Sequence, residues 1–159
     1  MKLDEWNALD AADAERELLQ VCASRRWARE VASSRPHPDV ASLQATAEVA
    51  LTDADLDEAM AGHPRIGDRA AAGASRREQS GVAGADADVL TALADGNRAY
   101  EERFGHVYLV CATGRSAQEL LEILRVRLGN DPATERAVAL AELAAINRLR
   151  LARLVERNS

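Results

Sequence analysis

The sequence predicts an all-α protein, on three observations. Apolar residues recur at spacings of three and four along most of the chain, the period of one buried helix face. The segments carrying that period begin at capping residues and stop at glycine or proline. Only one continuous apolar run, residues 107–111, lacks helical spacing. A chain of 159 residues is long enough for one core and short for two, so residues 1–159 are read as a single compact multi-helix domain with a short extended segment near 107–113.

The first helix is expected over residues 11–22, with Leu18, Val21 and Cys22 inward. Trp27 and Val31, four apart in "RRWAREVASS", indicate a second. "SSRPHPD" then breaks the helix, because proline lacks an amide donor and disfavours helix in the residue before it. A third runs from Asp39 to Leu51 through Val40, Leu43 and Ala47. "TDADLDEAM" starts another, with Thr52 as cap, acids in the first turn, Leu56 and Met60 inward and Gly62 as stop. Helical spacing resumes over 86–104 through Val89, Leu90, Leu93, Tyr100 and Phe104, and Gly105 ends it. Residues 107–111 read as extended backbone without a strand partner, whose amides and carbonyls must find bonds elsewhere. Ser116 and Glu119 form an S-x-x-E capping box before "LLEILRVRL", closed by Gly129. Asp131 and Pro132 cap a final helix reaching about Val155.

Composition narrows the function. The formal charge is −6 and the pI about 5.1, which argues against a nucleic-acid backbone as partner, since that needs clustered cations. Lys2 is the only lysine, so the cations are arginines, whose planar fork suits carboxylates and ureido or imide oxygens; a GC-rich genome gives the same bias. Cys22 and Cys111 form no CxxC pair, and no HxxxH or HExxH is present, so neither a disulfide framework nor a metal site is expected. No run approaches the ~18 apolar residues of a membrane span, and the expected location is cytoplasmic.

Chemistry concentrates between Gly62 and Gly84, where five of the nine glycines fall. His63 follows a helix stop and precedes Pro64 in "AGHPRIG"; an imidazole there either moves protons near neutrality or caps the preceding helix. Ser75, Glu78 and Gln79 in "SRREQ" stand at i, i+3 and i+4. On a helix they share one face, as a polar binding trio or as a capping box beside a solvated amide. "ATGRS" offers free amides at a helix start, suited to an anion or to a plain connector. Arg148 and Arg150 lie two apart on one helix, so at most one meets a pocket. His37 is expected to be exposed. His106 either lines a pocket or is a satisfied core histidine.

Together, "HPRIG", "SRREQ", "FGHVYLVCATGRS" and "RLGNDPATERAVALAELAAINRLRL", with "CASRRWA" near the N-terminus, resemble the family of 2-oxo-4-hydroxy-4-carboxy-5-ureidoimidazoline (OHCU) decarboxylases over residues 15–155. The resemblance implies an all-helical fold, commonly a homodimer, without metal or organic cofactor. It also implies loss of carbon dioxide from a ureidoimidazoline to give S-allantoin in urate breakdown. It makes His63 the catalytic histidine, followed by Pro64 as a substrate contact, and Ser75, Glu78 and Gln79 the polar substrate-binding trio; Glu78 is also expected to orient the His63 imidazole in catalysis. It likewise assigns substrate contact to the backbone of Val110, Cys111, Ala112, Thr113 and Gly114, and the binding cation to Arg150. The alternative is a non-catalytic helical module that binds a purine-derived metabolite.

Overall fold

The structure is a computed structural model that describes residues 1–67, 77–82 and 84–156. Among them are eight α-helices and no strand. The helices are α1 (Leu3–Ala8), α2 (Ala11–Val21), α3 (Arg25–Ser33), α4 (Val40–Ala50), α5 (Leu56–Ala61), α6 (Ala87–Phe104), α7 (Ala117–Arg127) and α8 (Pro132–Glu156). They fall into two compact units, Met1–Gly62 with Ala144–Ser159, and His63–Leu143. No described helix is long and apolar enough to cross a membrane.

In the first unit α2 packs on α3 and α3 on α4, around Trp6, Leu18, Trp27, Val31, Leu43 and Leu151, all fully buried. Caps set the helix starts. Asp10 accepts from the Asp13 amide at 2.8 Å and Asp39 from the Ser42 amide at 2.7 Å, each satisfying an amide that the helix itself leaves unpaired. Ser24 caps α3 through the Trp27 amide at 3.3 Å, while its hydroxyl donates to Asp55 at 2.7 Å. The Trp27 indole donates to the Ala47 carbonyl at 2.9 Å, tying α3 to α4.

Asp55 closes this unit. It is 2% exposed, in the 3₁₀ turn Asp53–Asp55 before α5. The Arg26 fork grips both of its oxygens, at 2.9 and 2.6 Å, and reaches the Ala50 carbonyl at 2.5 Å. Burial alone pushes this carboxyl up, but Arg26, Thr52 and Ser24 outweigh it and bring it from 3.8 to about 2. The expected start at Thr52 holds, with the difference that one 3₁₀ turn precedes the α-helix.

Helix α1 has no counterpart in the periodicity. Six residues give too short a window, and the segment is fixed by one side chain, the fully buried Trp6, with the Arg35 guanidinium 5.3 Å from its ring centroid. His37 corrects the expectation of exposure. It is buried, its backbone is clamped by Asn7 at 2.9 and 3.0 Å, and its ring nitrogens meet Ser34 and Ser42. Ser34 Oγ donates to the Val31 carbonyl, so it accepts from His37 Nε2, and Nδ1 accepts from Ser42. Burial lowers the His37 pKa, in keeping with this neutral form.

In the second unit α6 packs on α7 over a core that includes Leu93, Tyr100, Tyr108, Val110, Leu120 and Leu124. Gly105 ends α6 in the left-handed conformation, φ +77°, where a side chain is strained. The Ser116–Glu119 box is formed in both directions, at 3.1 and 3.2 Å. Asp131 starts α8 by accepting from the Thr134 amide at 2.9 Å.

Because Asp55 titrates below its unfolded value, it contributes stability that is present above about pH 4 and is lost as pH falls toward 2. Arg26→Met is therefore expected to lower unfolding free energy by about 2 kcal/mol at pH 7. Urea titrations of both proteins should show that difference shrinking as pH falls through this window; a difference independent of pH contradicts the assignment.

Candidate functional site

The site candidates that can be described lie mainly in the second unit. "HPRIG" forms the loop that opens it. His63 and Pro64 are half-buried, and Arg65 is exposed and paired with Glu101 at 2.7 and 3.1 Å. Ile66 is buried in the core. Its carbonyl accepts from Asn97 Nδ2 at 3.1 Å, so a buried amide on α6 holds the loop from beneath. Gly67 follows at φ +85°, and its amide donates to Gln79 Oε1 at 2.8 Å.

That last bond joins the two motifs. Gln79 belongs to "SRREQ", and its side chain reaches back twelve residues to the histidine loop. Its neighbour Glu78 has helical backbone and is 8% exposed, an uncommon burial for a carboxylate unless it has a role or a partner. Ser75, and with it the capping-box alternative for this segment, lies outside the described residues. Gly81, in the 3₁₀ turn Ser80–Val82, passes so close to Arg115 that an added Cβ would stand 2.2 Å from its carbonyl oxygen. No side chain fits there. The end of "SRREQ" is thereby brought against "ATGRS".

Residues 107–112 have neither helix nor strand, as expected. Tyr108, Leu109, Val110 and Ala112 are buried, Cys111 is half-buried, and Thr113 and Gly114 form an exposed turn. Burial pushes the Cys111 thiol up, opposed by its bond to Thr113 and reinforced by the carboxylates of Glu142 and Glu78. Glu78 thus lies within electrostatic range of Cys111. Arg115 bonds the Cys111 carbonyl through Nε at 3.2 Å and the Ala112 carbonyl through its amide at 3.0 Å.

Arg150 belongs to the first unit. It is half-buried and donates to the Val21 carbonyl at 2.8 Å, close enough to Cys22 to counter, as a lesser influence, the rise that burial gives that thiol. Arg148 is exposed, and its carbonyl accepts from Gln44 at 2.9 Å. Beside it lies a cavity of about 10 Å³, room for one water and too small for an organic substrate. His106 joins an aromatic group, its ring 5.5 Å from Tyr100 and 6.2 Å from Phe104. No group of three or more His, Cys, Asp or Glu among the described residues could hold a metal ion.

Sequence reasoning missed Asn97, Arg127 and Glu135. Arg127 is 4% and Glu135 0% exposed, joined at 2.7 and 2.5 Å. Tyr100 donates to the same carboxylate at 2.5 Å. In sequence the pair reads as ordinary charges at a helix end and a helix start, and only the loss of solvent around them distinguishes them.

Gln79→Leu is expected to speed amide exchange at Gly67 by about tenfold, while global stability changes by no more than about 1 kcal/mol, the scale of one lost hydrogen bond. Unchanged exchange at Gly67 contradicts the link between the motifs.

Comparison with known proteins adds the following. The OHCU decarboxylase family model matches residues 7–152. The chain is 30% identical over 144 residues to the uric acid degradation bifunctional protein TTL of Arabidopsis thaliana, covering 84% of this chain and 44% of that protein. It is 37% identical over 78 residues to the 2-oxo-4-hydroxy-4-carboxy-5-ureidoimidazoline decarboxylase of Amia calva, covering 49% of this chain and 45% of that one. It therefore spans a little under half the length of these curated relatives. Among solved structures it is similar to OHCU decarboxylase crystallised in the presence of (S)-allantoin, with TM-score 0.79 and 30% identity over 88% of this chain and 97% of that one. An (S)-allantoin synthase shares the fold, with TM-score 0.74 at 16% identity, over 98% of this chain and 54% of that one.

Proposed function

The chain belongs to the OHCU decarboxylase family, and we propose that it removes carbon dioxide from 2-oxo-4-hydroxy-4-carboxy-5-ureidoimidazoline to give S-allantoin, a step of urate breakdown. The observation that carries this reading is the Gly67–Gln79 bond. It ties the amide of Gln79, next in sequence to the buried Glu78, to the loop that begins with His63, which supports the reading.

The chemistry asks little of a cofactor. The bond between the ring carbon and its carboxylate breaks, carbon dioxide leaves, and the electron pair is delocalised into the adjacent carbon–nitrogen and carbonyl system. Donors aimed at that developing charge lower the barrier. In this reading Ser75, Gln79 and the backbone at 110–114 hold the ring and ureido group, with Pro64 shaping the wall behind them, and Arg150 supplies the binding cation. His63, supported by Glu78, handles the substrate hydroxyl and delivers a proton to one face of the ring, which makes the product chiral. We further propose that residues 1–159 act as one catalytic domain, that the chain works as a homodimer, and that it does so in the cytoplasm without a metal.

Substrate generated in place by urate oxidase and hydroxyisourate hydrolase, with circular dichroism following chiral allantoin, tests the proposal. The wild-type chain should accelerate formation of the S enantiomer. His63→Ala should lose about 10²- to 10⁴-fold of that rate, the range for a general acid–base group, and keep the wild-type helical signal and Tm. A folded His63→Ala protein with wild-type turnover overturns the role of His63. Saturable binding of the product without turnover by the wild-type chain supports the metabolite-binding alternative instead.

A further inference from the structure

Residues 107–112 bury most of their side chains yet have no ladder to satisfy their backbone. The Ala112 and Cys111 carbonyls are taken by Arg115, from the adjoining turn. The Leu109 carbonyl is taken from 18 residues away, by Arg127 Nη1 at 2.6 Å. Local geometry cannot hold that group; the end of α7 does.

Arg127 is itself held by a carboxylate and by two aromatic rings. Its Nε donates to Glu135 Oε1 at 2.7 Å, and its Nη2, which makes no hydrogen bond among the described residues, lies 2.5 Å from the same oxygen as an ion pair. Its guanidinium carbon lies 4.9 Å from the Tyr108 ring centroid and 5.9 Å from that of Tyr100. Glu135 is fixed in turn by Tyr100 on Oε1 and by Asn130 on Oε2 at 3.1 Å, and Tyr108 by its own bond to the Leu120 carbonyl at 3.0 Å. The planar fork matters here. Nε serves the carboxylate while Nη1 serves the carbonyl, and the flat face lies over tyrosine. A lysine ammonium cannot do all three.

We infer that Arg127, held by Glu135, is a positioning residue for the reaction: by fixing the Leu109 carbonyl it sets the register in which Val110, Cys111, Ala112, Thr113 and Gly114 present their backbone to substrate. The inference rests on the reading of those five residues as substrate contacts. It adds a pair remote in sequence from all of them. Arg127 touches no reacting atom in this account and acts through the segment it holds.

The test compares Arg127→Lys and the milder Glu135→Gln with Arg26→Lys, which weakens an ion pair of the first unit. Turnover per folded molecule is measured alongside Tm, and amide exchange is followed at Val110 and Ala112. Arg127→Lys should lower kcat by about 10-fold or more, since displacement of positioning groups by about 1 Å can cost up to 100-fold. Glu135→Gln should show a smaller loss in the same direction. Exchange at Val110 and Ala112 should quicken in both, while Arg26→Lys at a matched Tm stays within about twofold of wild type on turnover. If Arg127→Lys does not fold, Glu135→Gln decides by the same criteria.

Folded Arg127 and Glu135 variants with wild-type kcat overturn the inference, as does an equal loss in Arg26→Lys, which marks a purely structural role. A wild-type chain without turnover overturns the decarboxylase reading instead. In that case the exchange measurement still decides whether Arg127 holds the segment.

Discussion

The Arg127 guanidinium, set between the Glu135 carboxylate and the Leu109 carbonyl, is the interaction on which the second unit depends. A helical protein satisfies its backbone within each helix, so any buried segment that leaves the helical path needs bonds from elsewhere. Residues 107–112 are such a segment. Desolvating an ion pair is costly and its net contribution to stability is small, so the pair is better understood as fixing one arrangement of backbone. Tyr100 and Asn130 donate to the carboxylate end, and the Tyr108 ring lies under the guanidinium.

The first unit uses the same device for a different end. Arg26 grips Asp55 and the last carbonyl of α4, and Ser24 links that carboxylate to the start of α3. Here the fork joins helix ends to one another. Ser24 and Trp27 both belong to the "CASRRWA" segment near the N-terminus. Both are buried and bonded within the unit.

The helices and their ends were legible because each start is a local event. Asp10 and Asp39 bond amides three residues on, Ser116 and Glu119 do so reciprocally, and Gly105 takes a backbone angle that other residues avoid. The 107–111 run was legible as an exception to the helical period. Helix α1 was not, because a single buried tryptophan carries no period. His37 was misread because prolines beside it signal a loop, and a loop can be buried when two serines and an asparagine satisfy it. Of the candidate site residues, His63, Glu78 and Gln79 stand out by residue type and spacing. Asn97, Arg127 and Glu135 did not, since their partners lie 31, 18 and 35 residues away. Such pairings leave no local pattern.

The central claim is that the histidine loop, the acid–amide pair and the 110–114 backbone present one stereospecific surface to a ureide. Titrating the ¹⁵N-labelled protein with (S)-allantoin and, separately, with its R enantiomer tests it directly. Amide shifts concentrated at residues 63–67, 78–79 and 110–114, larger for the S enantiomer, are the result expected. Shifts that spare those residues, or that do not distinguish the two enantiomers, contradict it.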